Sequence, residues 1–131
     1  MSAPTARPRA LTIGLHPRSM DYSNHPQLTE KDLTARVDAA NDALRDTEFD
    51  ITPYLAGTSP EATETELRKL LAGQQFDLIM IGGAVRALPE HTPLFERIVN
   101  TVVEAAPGIT FCFNTSPETT LDALRRVRPP A

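Results

Sequence analysis

Side chains capable of acid–base or anion chemistry gather in three stretches of this 131-residue chain. His16-Pro17-Arg18 opens a polar segment that also holds Asp21, Tyr22 and His25. Gly82-Gly83 is followed by Arg86, Glu90 and His91, and Asn114-Thr115-Ser116 runs into Pro117. Histidine exchanges protons near neutral pH, which makes His16 the candidate general acid or base. Arginine presents a planar fork matched to carboxylate or phosphate, so Arg18 and Arg86 are candidate anion holders; the plainer reading of Arg86 is an ion pair with Glu90. Gly82 and Gly83 suit close approach of a ligand to the backbone, or equally a turn with positive φ. Asn114, Thr115 and Ser116 place amide and hydroxyl groups where a helix with free N–H groups begins, although capping alone explains Ser116 before Pro117.

Several chemistries are excluded by what is missing. The three histidines and Asp21 fit no compact metal-ligand spacing, and no metal is expected. A cysteine nucleophile belongs just after the first strand in phosphatases and sugar-transport phosphocarriers of this architecture. That place is His16-Pro17-Arg18-Ser19, and the lone cysteine, Cys112, lies elsewhere. A phosphorylatable receiver needs acids at the ends of strands one and three, where His16 and Gly82-Gly83 stand. The segment after strand one has no glycine to suit FMN, and both G-x-G-x-x-G and G-x-S-x-G are absent. No cofactor is expected.

The formal charge of −4 without a Lys/Arg run argues against nucleic acid, and no apolar run nears the roughly 20 residues of a membrane span. Cys112, between Phe111 and Phe113, reads as a small buried hydrophobe in a reducing compartment. Residues 1–9 lack the apolar core of a signal peptide. The expected location is the cytoplasm.

Alternating elements must carry the three stretches. Ala10–Leu15, with Leu11, Ile13 and Leu15 at period two, reads as a strand, and residues 1–9 as a flexible lead-in. Thr29 caps a helix whose Leu33, Val37, Ala40 and Leu44 share one face. Glu48–Ala56 is a second strand, placed at a sheet edge by Pro53. Ser59-Pro60-Glu61 opens a second helix with Leu67, Leu70 and Leu71 inward, ended by Gly73. Leu78–Gly82 is apolar throughout and therefore central. Thr92-Pro93 starts a third helix with Phe95, Ile98, Val99, Val102 and Ala106 inward, stopped by Pro107-Gly108. Ile109–Phe113 is the fourth strand, and Ser116-Pro117 opens a last helix with Leu121, Leu124 and Val127 inward. The order βαβαβαβα predicts one α/β domain over residues 10–128. It is a three-layer, doubly wound sandwich on a four-stranded parallel sheet of order 2-1-3-4. Its topological switch lies between strands one and three, beside the three chemical stretches.

Ile13-Gly14-Leu15-His16-Pro17, Asp21-Tyr22-Ser23, Ile81-Gly82-Gly83-Ala84-Val85-Arg86 with Pro89-Glu90, Leu94-Phe95-Glu96, Val99-Asn100, Ala106-Pro107 and Phe113-Asn114-Thr115-Ser116-Pro117 resemble a group of small uncharacterised bacterial α/β proteins of flavodoxin-like or Rossmann-like build. The resemblance spans residues 11–126. It implies the fold and supplies no mechanism. The residues themselves lead to a module that binds a small anionic metabolite, without catalysis of its own, through Arg18, Gly82, Gly83, Arg86, Asn114, Thr115 and Ser116. The alternatives are an enzyme using His16 with Arg86 stabilising negative charge, and an interaction module forming a homodimer through the fourth strand or its flanking helix.

Overall fold

A computed structural model describes residues 7–130. Four strands, β1 (Arg9–Leu15), β2 (Asp50–Ala56), β3 (Leu78–Ile81) and β4 (Thr110–Phe113), form one parallel sheet of order β2-β1-β3-β4. The helices are α1 (Glu30–Leu44), α2 (Pro60–Gly73), α3 (Gly83–Arg86), α4 (Thr92–Ala105) and α5 (Thr120–Val127). The expected architecture and strand order hold. Pro53 sits on the edge strand β2, opposite Thr12 of β1. Of the expected lead-in, residues 1–6 lie outside the described residues. Arg7 to Arg9 belong to the fold: Arg7 donates to the Arg45 and Thr47 carbonyls, Pro8 O accepts from Asp50 N at 2.8 Å, and Arg9 opens β1.

Local chemistry explains most helix starts. Thr29 Oγ1 accepts from Asp32 N at 3.1 Å, and Ser59 Oγ accepts from Ala62 N at 3.2 Å ahead of Pro60. Two starts differ from expectation. A 3-10 turn, Pro89–His91, runs directly into α4, so His91 rather than Thr92 stands at its cap. Another, Pro117–Thr119, separates Ser116 from α5. Val127 is exposed rather than inward, and Ala123 and Leu124 fill the α5 contact.

The sheet has two unlike faces. Toward α2 and α4, β1 points Leu11, Ile13 and Leu15 into a cluster with Ile79, Ile81, Leu67, Leu94, Ile98 and Val102. Salt bridges join the two helices above it, Arg97 with Glu61 and Glu64 and Arg68 with Glu104, and Arg68 also pairs with Glu64 within α2. Toward α1 and α5, a smaller cluster unites Ala10, Leu44, Phe49, Leu78, Met80, Cys112, Ala123 and Leu124. Of the α1 stripe only Leu44 is buried; Leu33, Val37 and Ala40 remain half-exposed. The stripe stays partly open because β1 offers only Ala10, Thr12 and Gly14 on that side. They are too small to fill the layer.

Candidate functional site

The unfilled layer is a cleft of about 580 Å³ at the C-terminal rim of the sheet. Its floor is Thr12, Gly14, Leu55, Met80 and Gly82, and its roof is Leu33, Val37, Ala40 and Asn41 of α1. Met20 and Leu28 come from the segment after β1, Ala84 and Arg86 from α3, and Asn114 to Pro117 from the segment after β4. Among the described residues no Asp, Glu, Lys or His lines it, and its cations are Arg36 and Arg86. Arg36 is already paired, donating to Glu118 Oε1 at 2.6 Å and so tying α1 to the turn before α5.

Asn114 assembles the rim. It is 5% exposed, and its Oδ1 accepts from Gly83 N at 3.0 Å while its Nδ2 donates to Thr120 Oγ1 at 2.8 Å. Its carbonyl accepts from Arg86 Nη2 at 3.0 Å. The two glycines serve close approach, not a positive-φ turn: Gly82 has φ −74°. A Cβ there would lie 3.3 Å from Ile13 O, and one on Gly83 would lie 3.4 Å from Thr115 O.

Arg86 stands out among the cations. Three arginines are half-buried, Arg68, Arg86 and Arg97; the first and last hold carboxylates, and Arg86 holds none among the described residues. The expected pairing with Glu90 does not form. Its guanidinium lies 5.4 Å from the centroid of the Phe113 ring, Nη2 is taken by Asn114, and Nε is sealed without a partner. Nη1 makes no hydrogen bond among the described residues. A half-buried cation without its anion is electrostatically incomplete.

The other expected residues fall in two groups. Gly82, Gly83, Asn114, Thr115 and Ser116 line the cleft with Arg86. The backbone N–H groups of Thr115 and Ser116 donate to Thr119 Oγ1 at 3.0 and 3.1 Å, and their hydroxyls also meet it at 3.4 and 3.5 Å. His16 and Arg18 are on the same rim but outside the cleft lining. His16 Nδ1 accepts from Arg18 N at 3.2 Å and caps the 3-10 turn Pro17–Ser19. Arg18 is exposed.

The remaining polar groups of that segment also build it. Asp21 caps the turn Tyr22–Asn24, and its hydrogen bond from Ser23 holds its carboxyl below the usual range. Tyr22 donates to Pro17 O at 2.6 Å, and burial raises its phenol. His91 is buried, 7% exposed, with Nε2 unpartnered, and does not line the cleft. Among the described residues no three of His, Cys, Asp and Glu come together as a metal set.

Sequence reasoning missed the apolar walls, above all Met20, Leu28 and Met80, and the polar Thr12 and Asn41. The usable signal was the run of small residues on one side of β1, together with Gly82. What the fold and site define is a parallel-sheet α/β domain with an apolar cleft and, among the described residues, one half-buried arginine at its rim without a counter-charge. Compared with known family models and with curated proteins, the chain matches none. Among the described residues no helix is long and apolar enough to cross a membrane.

Proposed function

We propose that the protein binds a small anion with an apolar body in the cleft between α1 and the sheet, without catalysis of its own. One observation carries this reading: among the described residues, an apolar cleft lined by no carboxylate meets the single half-buried arginine that lacks a counter-charge. Its volume of about 580 Å³ falls within the roughly 300–1,000 Å³ of ordinary small-molecule sites. Apolar walls supply affinity by leaving water, and the guanidinium orients the acid group. The anion suits the Arg86 end because Asn114 O and the Phe113 ring hold the guanidinium in place before the ligand arrives.

Calorimetric titration with octanoate tests the reading. Wild type binds, and Arg86→Gln, which keeps a hydrogen-bonding head but removes the charge, weakens binding by about tenfold or more. Absence of binding across aliphatic and aromatic carboxylates and alkyl phosphates, or equal affinity in Arg86→Gln, refutes it.

A second reading is favoured by the free edge of β4. Phe113 and Val127 are exposed large hydrophobics from β4 and the end of α5, which packs on it. Pairing of two copies along this edge covers them, although Arg126 Nη2 already donates to Phe113 O at 2.6 Å. Light scattering at tens of micromolar decides: a monomeric mass removes the dimer.

A further inference from the structure

The inner end of the cleft carries two polar groups that the fold leaves unused. Thr12 stands in mid-β1 on the face beneath α1, in register with Pro53 on one side and Met80 on the other. It is 7% exposed, and its hydroxyl makes no hydrogen bond among the described residues. The sealed and partnerless side-chain atoms are Arg86 Nε and His91 Nε2, so the Thr12 hydroxyl keeps access to the cleft it lines. Asn41 lines the same cleft from α1, half-buried, and its amide likewise has no hydrogen-bond partner among the described residues.

Position along the elements separates these groups from the anion end. Because α1 joins two parallel strands, it runs back against them, so Leu33 lies nearer the rim and Asn41 deeper. Eight helical residues from Leu33 to Asn41 span about 12 Å. Three strand residues from Leu15 to Thr12 span about 10 Å. Arg86, on α3 just beyond the end of β3, is at the rim. Between the two ends the lining is Gly14, Val37 and Leu55, with Ala40 and Met80 beside the inner groups. Among the described residues no carboxylate, lysine or histidine lines the cleft, so the inner end has polarity without an acid or base to match a charged head.

A ligand that covers the Thr12 hydroxyl without bonding it strips it of solvent at a cost, and a ligand group that bonds it avoids that cost. We infer that Thr12 and Asn41 form a neutral hydrogen-bonding subsite. It selects ligands with an acid at one end and an uncharged amide or hydroxyl at the other, separated by an aliphatic chain. The inference rests on the reading of the cleft as a ligand site and names the substrate class of that site.

Two probes of matching reach test it: octanoate, which has the acid alone, and suberic acid monoamide, which adds an amide head. Wild type prefers the monoamide by about tenfold, as expected for satisfying buried polar groups. Thr12→Val keeps shape and removes the hydroxyl; it reduces that preference severalfold while octanoate affinity and melting temperature hold or rise. Asn41→Leu reduces it likewise, and the double variant abolishes it. Equal affinity of wild type for the two probes, with octanoate binding intact, overturns the subsite and leaves the anion site standing. Preference that survives in the double variant also overturns it. Failure of both probes to bind removes the cleft reading and the subsite together.

Discussion

The two faces of the sheet solve the same packing problem with different side chains. On the α2/α4 face, strand residues are Leu and Ile, and the helices answer with Leu67, Ile98 and Val102, each fully buried. On the α1/α5 face, β1 supplies Ala10, Thr12 and Gly14, and the α1 stripe stays half-exposed above them. A close-packed interior tolerates little empty volume, because voids forfeit both hydration and dispersion energy. Large residues on one face therefore serve stability, and small residues on the other leave room for a ligand. One strand, β1, carries both instructions on its alternate positions.

The comparison breaks most readily by truncating one residue on each face. Ile98→Ala on the closed face costs about 2–5 kcal/mol in urea denaturation. Val37→Ala on the cleft face costs less than about 1 kcal/mol, since that side chain is already half-exposed. Equal losses would erase the distinction between the faces. The next largest effect is on binding: Ala40→Phe, which fills the roof of the cleft, lowers octanoate affinity by about tenfold or more with the melting temperature preserved. Undiminished affinity in that variant places the ligand elsewhere.

A smaller effect comes from the clamp between α5 and the start of β2. Arg125 donates to both Glu48 oxygens at 2.8 Å and holds that carboxyl at a pKa of about 2, below its ordinary 4.5. A carboxyl depressed on folding stabilises the protein above its unfolded pKa, and the contribution is lost as pH falls through the folded value. The melting-temperature advantage of wild type over Glu48→Gln is therefore constant above about pH 5 and shrinks toward pH 2. A constant difference down to pH 2 contradicts the clamp. Smallest is the tether of α1. Arg36 and Glu118 are both substantially exposed, and a double-mutant cycle gives a coupling below about 1 kcal/mol. A much larger coupling would mean that α1 is held by this pair rather than by Leu44 and the neighbouring turns.

The strand order was legible because alternation, an edge proline in β2 and an all-apolar β3 constrain the sheet strongly. Cap chemistry marked α1 and α2 for the same reason. α3 was not legible: four residues, Gly83–Arg86, are one turn and carry no periodicity. His91 displaced Thr92 as the α4 cap because the preceding 3-10 turn continues straight into the helix. The rim position of Arg86, Asn114 and the two glycines followed from parallel topology. Which rim groups remain available for a ligand did not, since that depends on local bonds such as His16 with Arg18 and Thr119 with the Thr115 and Ser116 amides. Periodicity correctly put Leu33, Val37 and Ala40 on one helix face. It is silent on whether that face meets a neighbour, and the small residues of β1 decide that here.

Occupancy of the cleft is tested most directly by titrating octanoate into the uniformly ¹⁵N-labelled protein and following the amide signals. Perturbations should gather at Thr12, along Leu33 to Asn41, and at Gly82, Gly83 and Asn114, with α2 silent. Signals that stay unmoved at millimolar octanoate, or that move on α2 and α4 instead, would contradict the account.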